Sequence, residues 1–400
     1  MSERKRTEER VKAALSELDA PDERMAEERG RQMLEAALAE REHTAQRSRV
    51  TLRAGLALIA AGTIAALAMT PAGAEVREWI ADRIDSGEKN ADPRLTSLPT
   101  AGAVLVEAPS GAWVIREDGS KRRLGEFDEA TWSPNGRFVG VTDGTELRAV
   151  DPVGKFRWSI EADAPVTALD WSPDEGFRVA YLAGEEIHVV TGDGVSESYT
   201  APARPIGPAW RPESEPDEAI HHLSFVDPQN RVVTVDTDSG RVLWKTGQFG
   251  VPVGSLEWSD SGQRLLVSAS GFTTVLDARG NPLLKGPIAA NVSGAAISPT
   301  GGEIAAVTRG PQGTDLRLIG PAGEERRLYS SGRDDPRARF GSPVFSPDGK
   351  WILLPWPEAD QWLFVNTDDR RVTAVADISR QFDADGKGSA RFPEVAGWCC

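Results

Sequence analysis

Cysteine and histidine are nearly missing from this chain of 400 residues, which has two of the first and four of the second. Cys399 and Cys400 are adjacent, so they cannot supply the spaced pairs of a disulfide framework. They read as a candidate redox pair, bonding to each other or to a partner in an oxidising compartment, or else as inert residues of a closing strand. The histidines are His43, His188, His221 and His222. His221 and His222 alternate faces on a strand and cannot converge on one metal, and His188 reads as an ordinary strand residue. Asp383-Ala-Asp-Gly386 has the first acidic positions of a calcium loop but none of the later ligands, so it reads as a turn. A Gly-x-Ser-x-Gly elbow, a phosphate-binding loop and a dinucleotide fingerprint are absent too. These gaps give the expectation of no catalytic residue, no cofactor and no metal.

Basic residues are outnumbered: 46 Lys and Arg face 61 Asp and Glu, for a net charge of −15. Residues 1–53 hold 12 of each sign, so the excess falls on residues 54–400, with 34 basic and 49 acidic side chains. Such a balance argues against a nucleic-acid or anionic-lipid face and is compatible with cationic partners.

Long apolar runs are missing as well, with one exception. Ala54 to Ala74 is an uncharged, Ala-rich stretch of 21 residues, the length of helix that spans a bilayer core. Arg41, Arg47, Arg49 and Arg53 precede it, whereas Glu75, Glu78 and Asp82 follow. Because basic flanks stay in the cytoplasm, the reading is a single-pass protein of the cytoplasmic membrane, with residues 1–53 inside and the remainder outside. Ala72-Gly-Ala74 has the small-residue look of a cleavage site, but the charge-rich segment of 53 residues ahead of the apolar run far exceeds an ordinary leader. Residues 75–100 read as a juxtamembrane helix, with Val76, Trp79, Ile80 and Ile84 on one side, followed by a Ser-, Gly- and Pro-containing linker. Within residues 1–53, Val11, Ala14, Leu15 and Leu18 share one helical face and Met33, Leu34, Ala37 and Leu38 another. That segment is too small for its own core. It serves either as a solvated stalk or as a docking element for a cytosolic partner.

What the chain has in quantity is a repeat. Trp132-Ser-Pro-Asn-Gly, Trp171-Ser-Pro-Asp, Trp210-Arg-Pro, Trp258-Ser-Asp-Ser-Gly, Ile297-Ser-Pro-Thr-Gly and Phe345-Ser-Pro-Asp-Gly begin 39, 39, 48, 39 and 48 residues apart. A period near ~40 marks one small unit used again and again, since a single unit cannot bury its own apolar faces. After each tract comes an apolar run, such as Val179-Ala-Tyr-Leu182 or Ile352-Leu-Leu354, then a second run closed by an acidic or Gly turn, such as Gly192-Asp-Gly194. Those turns tolerate the positive φ of tight hairpins. Three strands precede the first tract, and Phe392 to Cys400 repeats the approach to a tract around Trp398 and then stops. The orphan strand is therefore expected to complete the first unit, closing a ring of seven.

The tracts resemble the WSPDG-type repeats of TolB-like, WD40-like bacterial β-propellers, best in Trp132–Gly136, Trp171–Asp174 and Phe345–Gly349. The resemblance covers residues 101–400 and implies an all-β seven-bladed propeller in which Trp132, Trp171, Trp210, Trp258, Ile297, Phe345 and Trp398 are structural signposts. It does not imply a chemistry, because these residues set turns and fill cores. The layout of short helices, basic stop and single span is similar to that of membrane-bound anti-sigma regulators, without their zinc-binding signature. The expected function is a membrane-anchored, extracytoplasmic, non-enzymatic module that binds a protein or small ligand as a scaffold of the cell envelope. One alternative is a transmembrane regulator with the propeller as sensor and residues 1–53 as effector segment. The other is a hydrolase or lyase whose residues converge only in three dimensions.

Overall fold

The computed structural model describes residues 95–400 apart from 174–177, 213–220, 270, 284–288, 333–337 and 385–390. The expectations for residues 1–53, for 54–74 and for most of 75–100 lie outside the described residues. Among the described residues no helix is long and apolar enough to cross a membrane.

The described chain is built from antiparallel strands. In the first sheet, β1 (Ala103–Ala108), β2 (Gly111–Ile115) and β3 (Lys121–Gly125) are joined by β27 (Glu394–Cys399), which lies on the free side of β1. The second holds β4 (Ala130–Trp132), β5 (Val139–Asp143), β6 (Glu146–Val150) and β7 (Phe156–Glu161). The third holds β8 (Val166–Trp171), β9 (Arg178–Ala183), β10 (Glu186–Thr191) and β11 (Glu197–Pro202). The fourth holds β12 (Ala209–Trp210), β13 (His222–Val226), β14 (Val232–Asp236) and β15 (Arg241–Lys245).

A longer, seven-stranded sheet follows. It runs through β16 (Val253–Trp258), β17 (Arg264–Ala269), β18 (Gly271–Asp277), β19 (Ala289–Ile297), β20 (Ile304–Gly310), β21 (Gly313–Ile319) and β22 (Glu325–Ser330). The last sheet holds β23 (Val344–Phe345), β24 (Trp351–Trp356), β25 (Gln361–Asn366) and β26 (Val372–Val375). Strand β19 explains the long sheet: its first residues pair with β18, and from Val292 onward it pairs with β20.

The first strands touch in series: β4 meets β8, β8 meets β12, then β16, β19, β23 and β27 follow, and β27 meets β4 again. The orphan strand does what its sequence implies. β27 pairs antiparallel with β1, placing Cys399 opposite Ala103 and Trp398 opposite Val104.

Burial explains why the strands read as they do. The middle strands are covered on both faces by neighbouring sheets, so Trp351–Trp356 and Gln361–Asn366 are buried throughout and show no polar alternation. Outermost strands keep one wet face; β7 and β11 alternate exposed and half-buried residues. Most of the cores therefore lie between sheets, and one lies between the two halves of the seven-stranded sheet. Leu105, Ala112 and Val114 pack with Ala130, Val139 and Val141 across the first pair, and Leu182, Ile187 and Val189 pack with Trp210, Leu223 and Phe225 across another.

One element was not anticipated. After β26 a four-residue helix, α1 (Ile378–Gln381), leads Phe382 into the seam between the last and first sheets. Phe382 is 1% exposed. Its ring meets Trp113 edge-on at 5.8 Å and Trp362 at 5.3 Å, while Ser110 Oγ donates to its carbonyl at 2.6 Å. Of the expected turn at Asp383–Gly386, only the first two residues are described.

The seam predicts a specific weakness. Deleting residues 392–400 removes the β27–β1 ladder, whose bonds are worth on the order of 1 kcal/mol each, and bares β1 as an open edge. The expected result is a lower urea midpoint together with concentration-dependent association in gel filtration. An unchanged midpoint and a monomeric profile would show that the ring does not depend on this strand.

Candidate functional site

The signpost tracts act at the ends of the first strands, through one hydrogen-bonded device. In Ser346-Pro-Asp-Gly349, Gly349 N–H donates to Ser346 O at 2.8 Å, and Ser346 Oγ accepts from Trp351 N–H at 3.0 Å. The same hydroxyl position accepts from Phe138 at Ser133 (2.9 Å), from Arg178 at Ser172 (2.7 Å), from Arg264 at Ser259 (3.3 Å) and from Glu303 at Ser298 (3.0 Å). These serines are buried, so each hydroxyl satisfies a backbone donor that water cannot reach. The closing glycines sit at positive φ, +63° at Gly136 and +69° at Gly349, which L side chains rarely adopt.

Trp210-Arg211-Pro212 departs from the pattern and uses its arginine differently. Arg211 Nε donates to Gly262 O at 2.7 Å in the neighbouring turn, and its guanidinium lies 5.5 Å from the centre of the Trp258 ring.

Carboxylates tie the sheets together. Asp170 Oδ2 accepts from Trp210 N–H at 3.0 Å, and Glu257 Oε2 from Ile297 N–H at 3.2 Å. Glu107 Oε1 accepts from Ala130 N–H at 2.6 Å, and Glu129 Oε2 from Ala168 N–H at 2.5 Å. In three of the four the acid sits in or beside one sheet and the amide in the first strand of the next; Glu257 and Ile297 link β16 and β19 within the seven-stranded sheet. Burial pushes the carboxyl pKa up to about 7 in Glu107 and Asp170 and about 8 in Glu257, outweighing the amide bonds that pull it down. Sequence reasoning missed this set. Its only local signal is an acid directly before a signpost, as in Asp170-Trp171 and Glu257-Trp258.

Where the first strands end, a cavity of about 740 Å³ opens. Trp132, Trp258, Ile297, Phe345 and Trp398 line it, together with the Ser-Pro turns at 133–134, 298–299 and 346–347. Trp171 and Trp210 do not; they are buried between sheets, Trp171 against Phe138 and Trp158. Glu257 and Asp260 bring acid to the wall. Cys399 and Cys400 are bonded to each other and form part of the rim. They lie beside the turn at Ser133 and Pro134, with Cys400 Sγ 3.3 Å from Pro134 O.

Of the three described histidines, His188 and His221 have separate partners. His188 Nδ1 is 2.7 Å from Glu197 Oε1, and its ring stacks on Tyr181 at 5.2 Å. His221 Nδ1 is 2.6 Å from Asp238 Oδ2, a carboxylate that Arg178 also pairs with from the adjacent sheet. Burial, and then the charge of Arg211, lowers the His222 pKa to about 4, keeping that ring neutral. Among the described residues no cluster of His, Cys, Asp and Glu has the shape of a metal site.

No known family description matches the sequence, and none of the curated proteins is significantly similar to it. Solved structures are. The chain is similar to the C-terminal WD40 domain of Sif2, at 14% identity over 70% of this chain and 83% of that one, with a TM-score of 0.52. It is also similar to the β-propeller domain of Myceliophteria thermophila Cps50 (Swd1), at 11% identity over 63% of this chain and 86% of that one, with a TM-score of 0.51. Identities this low speak for the fold alone. Small antiparallel sheets with their first strands facing one another thus define the class: a WD40-like β-propeller.

The carboxylates make stability depend on pH in an unusual direction. Below about pH 4 carboxyls are protonated in folded and unfolded chains alike. As pH rises the unfolded chain ionises first, while the fold retains its protons up to about 7 at Asp170 and about 8 at Glu257. Their contribution to stability is therefore complete below about pH 4 and is lost on the way to about pH 8. Asp170→Asn and Glu257→Gln keep a carbonyl acceptor without the ionisation. The expected outcome in urea melts between pH 5 and pH 8 is a flatter pH profile for each variant than for the parent. Superimposable profiles would mean that these carboxyls ionise as in water.

Proposed function

We propose that this chain is a non-enzymatic binding and scaffolding module of the cell envelope, anchored through residues 54–74 and presenting the cavity rim to a protein partner. The observation that carries this reading is the rim itself: turns from several sheets converge on one opening of about 740 Å³ whose walls mix aromatic, hydroxyl and acidic groups. The acidic balance of residues 54–400 favours a partner segment with basic side chains. The blade count belongs to this proposal. The seven-stranded sheet is taken as two blades sharing β19, which with the five four-stranded sheets makes seven.

Photo-crosslinking tests the rim. A photoreactive side chain at Asn135 or Ser342, both on the cavity wall, is expected to trap a partner in intact cells. The same group at Val195, an exposed residue of the outer hairpin, is expected to trap none. Equal trapping at all three positions would remove the rim as the binding surface.

A second reading, a regulator in which residues 1–53 hold a cytosolic partner such as a sigma factor and the propeller senses, is favoured by the sequence layout. Basic residues lie ahead of the 21-residue apolar run and acidic ones behind it. Both readings require the anchor. Alkaline extraction of membranes is expected to leave the full chain in the pellet and to release a form lacking residues 54–74; release of the full chain would refute both.

A further inference from the structure

We propose that Cys399 and Cys400 form a thiol-exchange site on the cavity rim, one that dithiols reduce and that monothiols do not. The two sulfurs are bonded to each other, and the described residues include no free cysteine. Their surroundings differ. As a residue Cys400 is exposed and Cys399 half-buried; both sulfurs lie against the Ser133–Pro134 turn, Cys399 Sγ 3.8 Å from Ser133 O and Cys400 Sγ 3.3 Å from Pro134 O. Room for the pair depends on the adjoining turn: a Cβ on Gly136 would stand 3.0 Å from Cys400 Sγ. Cys400 is thus the more exposed residue of the pair, and both cysteines line the cavity.

In the proposed exchange the more exposed residue is attacked first. An incoming thiolate attacks Cys400 Sγ, the Sγ–Sγ bond breaks, and Cys399 departs as a thiolate, leaving a mixed disulfide on Cys400. The freed Cys399 thiolate is one residue away. It attacks Cys400 Sγ in turn, expels a monothiol and restores the original bond, because an attack from within the chain outcompetes one from solution. A dithiol escapes this reversal. Its second thiolate attacks its own sulfur in the mixed disulfide, Cys400 leaves as a thiolate, and the reductant departs as a cyclic disulfide. Two electrons and, on protonation, two protons then reside on the pair. The expected reductant is therefore a dithiol, either a small molecule or a protein with two close cysteines. The reduced state puts two separate thiols on the rim beside Trp398 and the Ser133–Pro134 turn.

The test counts thiols on the full-length folded protein by alkylation and mass spectrometry, and it does not depend on knowing the binding partner. Without reductant, after equilibration with oxidised glutathione, no cysteine is expected to be alkylated. After dithiothreitol under native conditions, both are. Native treatment with a mixture of reduced and oxidised glutathione is expected to leave little adduct on the parent. Cys399→Ser, which lacks the resolving thiol, is expected to hold at least about tenfold more glutathione on Cys400. Two alkylated cysteines without reductant would overturn the proposal, as would reduction that occurs only after unfolding. Equal adduct on parent and variant would overturn the resolving step. A thioredoxin-type protein and dithiothreitol, used in separate arms, distinguish a macromolecular reductant from a small one.

Discussion

The antiparallel ladder between β27 and β1 is the constraint on which the rest depends. A strand from one end of the described chain must find one from the other before the first sheet is complete. Every other sheet is made from consecutive strands and assembles locally. Loop-closure cost grows slowly with length, so joining residues about 290 positions apart is thermodynamically modest but late in order. Phe382 belongs to the same closure. Held by Trp113, Trp362 and Ser110, it fills the seam from the outer side while β27 fills it from the inner side.

Across the sheets, two polar devices share the work of alignment. The Ser-Pro turns are internal to each repeat: hydroxyl and amide lie five or six residues apart, so the turn forms wherever its letters stand. The carboxylates work between repeats, linking Asp170 to Trp210 and Glu257 to Ile297. Turns fix where each first strand ends, and acids fix how far the next one is displaced along the ring. Arg211 serves both ends, since it replaces a turn serine and reaches the neighbouring turn at Gly262.

This division explains what could be read before any coordinates. Strand order, hairpin turns and the role of β27 were legible because their signals are local or repeated. The two wider spacings, after Trp210 and after Ile297, fall where the chain between first and second strands or between sheets is longer: β13 begins only at His222, whereas β5 begins at Val139. The acids were not legible, since a glutamate that meets an amide some 40 positions away leaves no local pattern. Nor was the composition of the cavity, which draws Trp132, Trp258, Ile297, Phe345 and Trp398 to one wall and leaves Trp171 and Trp210 out. The short helix α1 and the Phe382 plug carry too few residues for a periodic signal.

Strand β19 has a mechanical consequence. Because one strand pairs with both neighbouring groups, main-chain hydrogen bonds join them there, across a register shift near Val292. Elsewhere around the ring, sheets meet through side chains, and such contacts can slide or part. A load applied across the ring would thus fall first on its other junctions, where no shared strand links the neighbours.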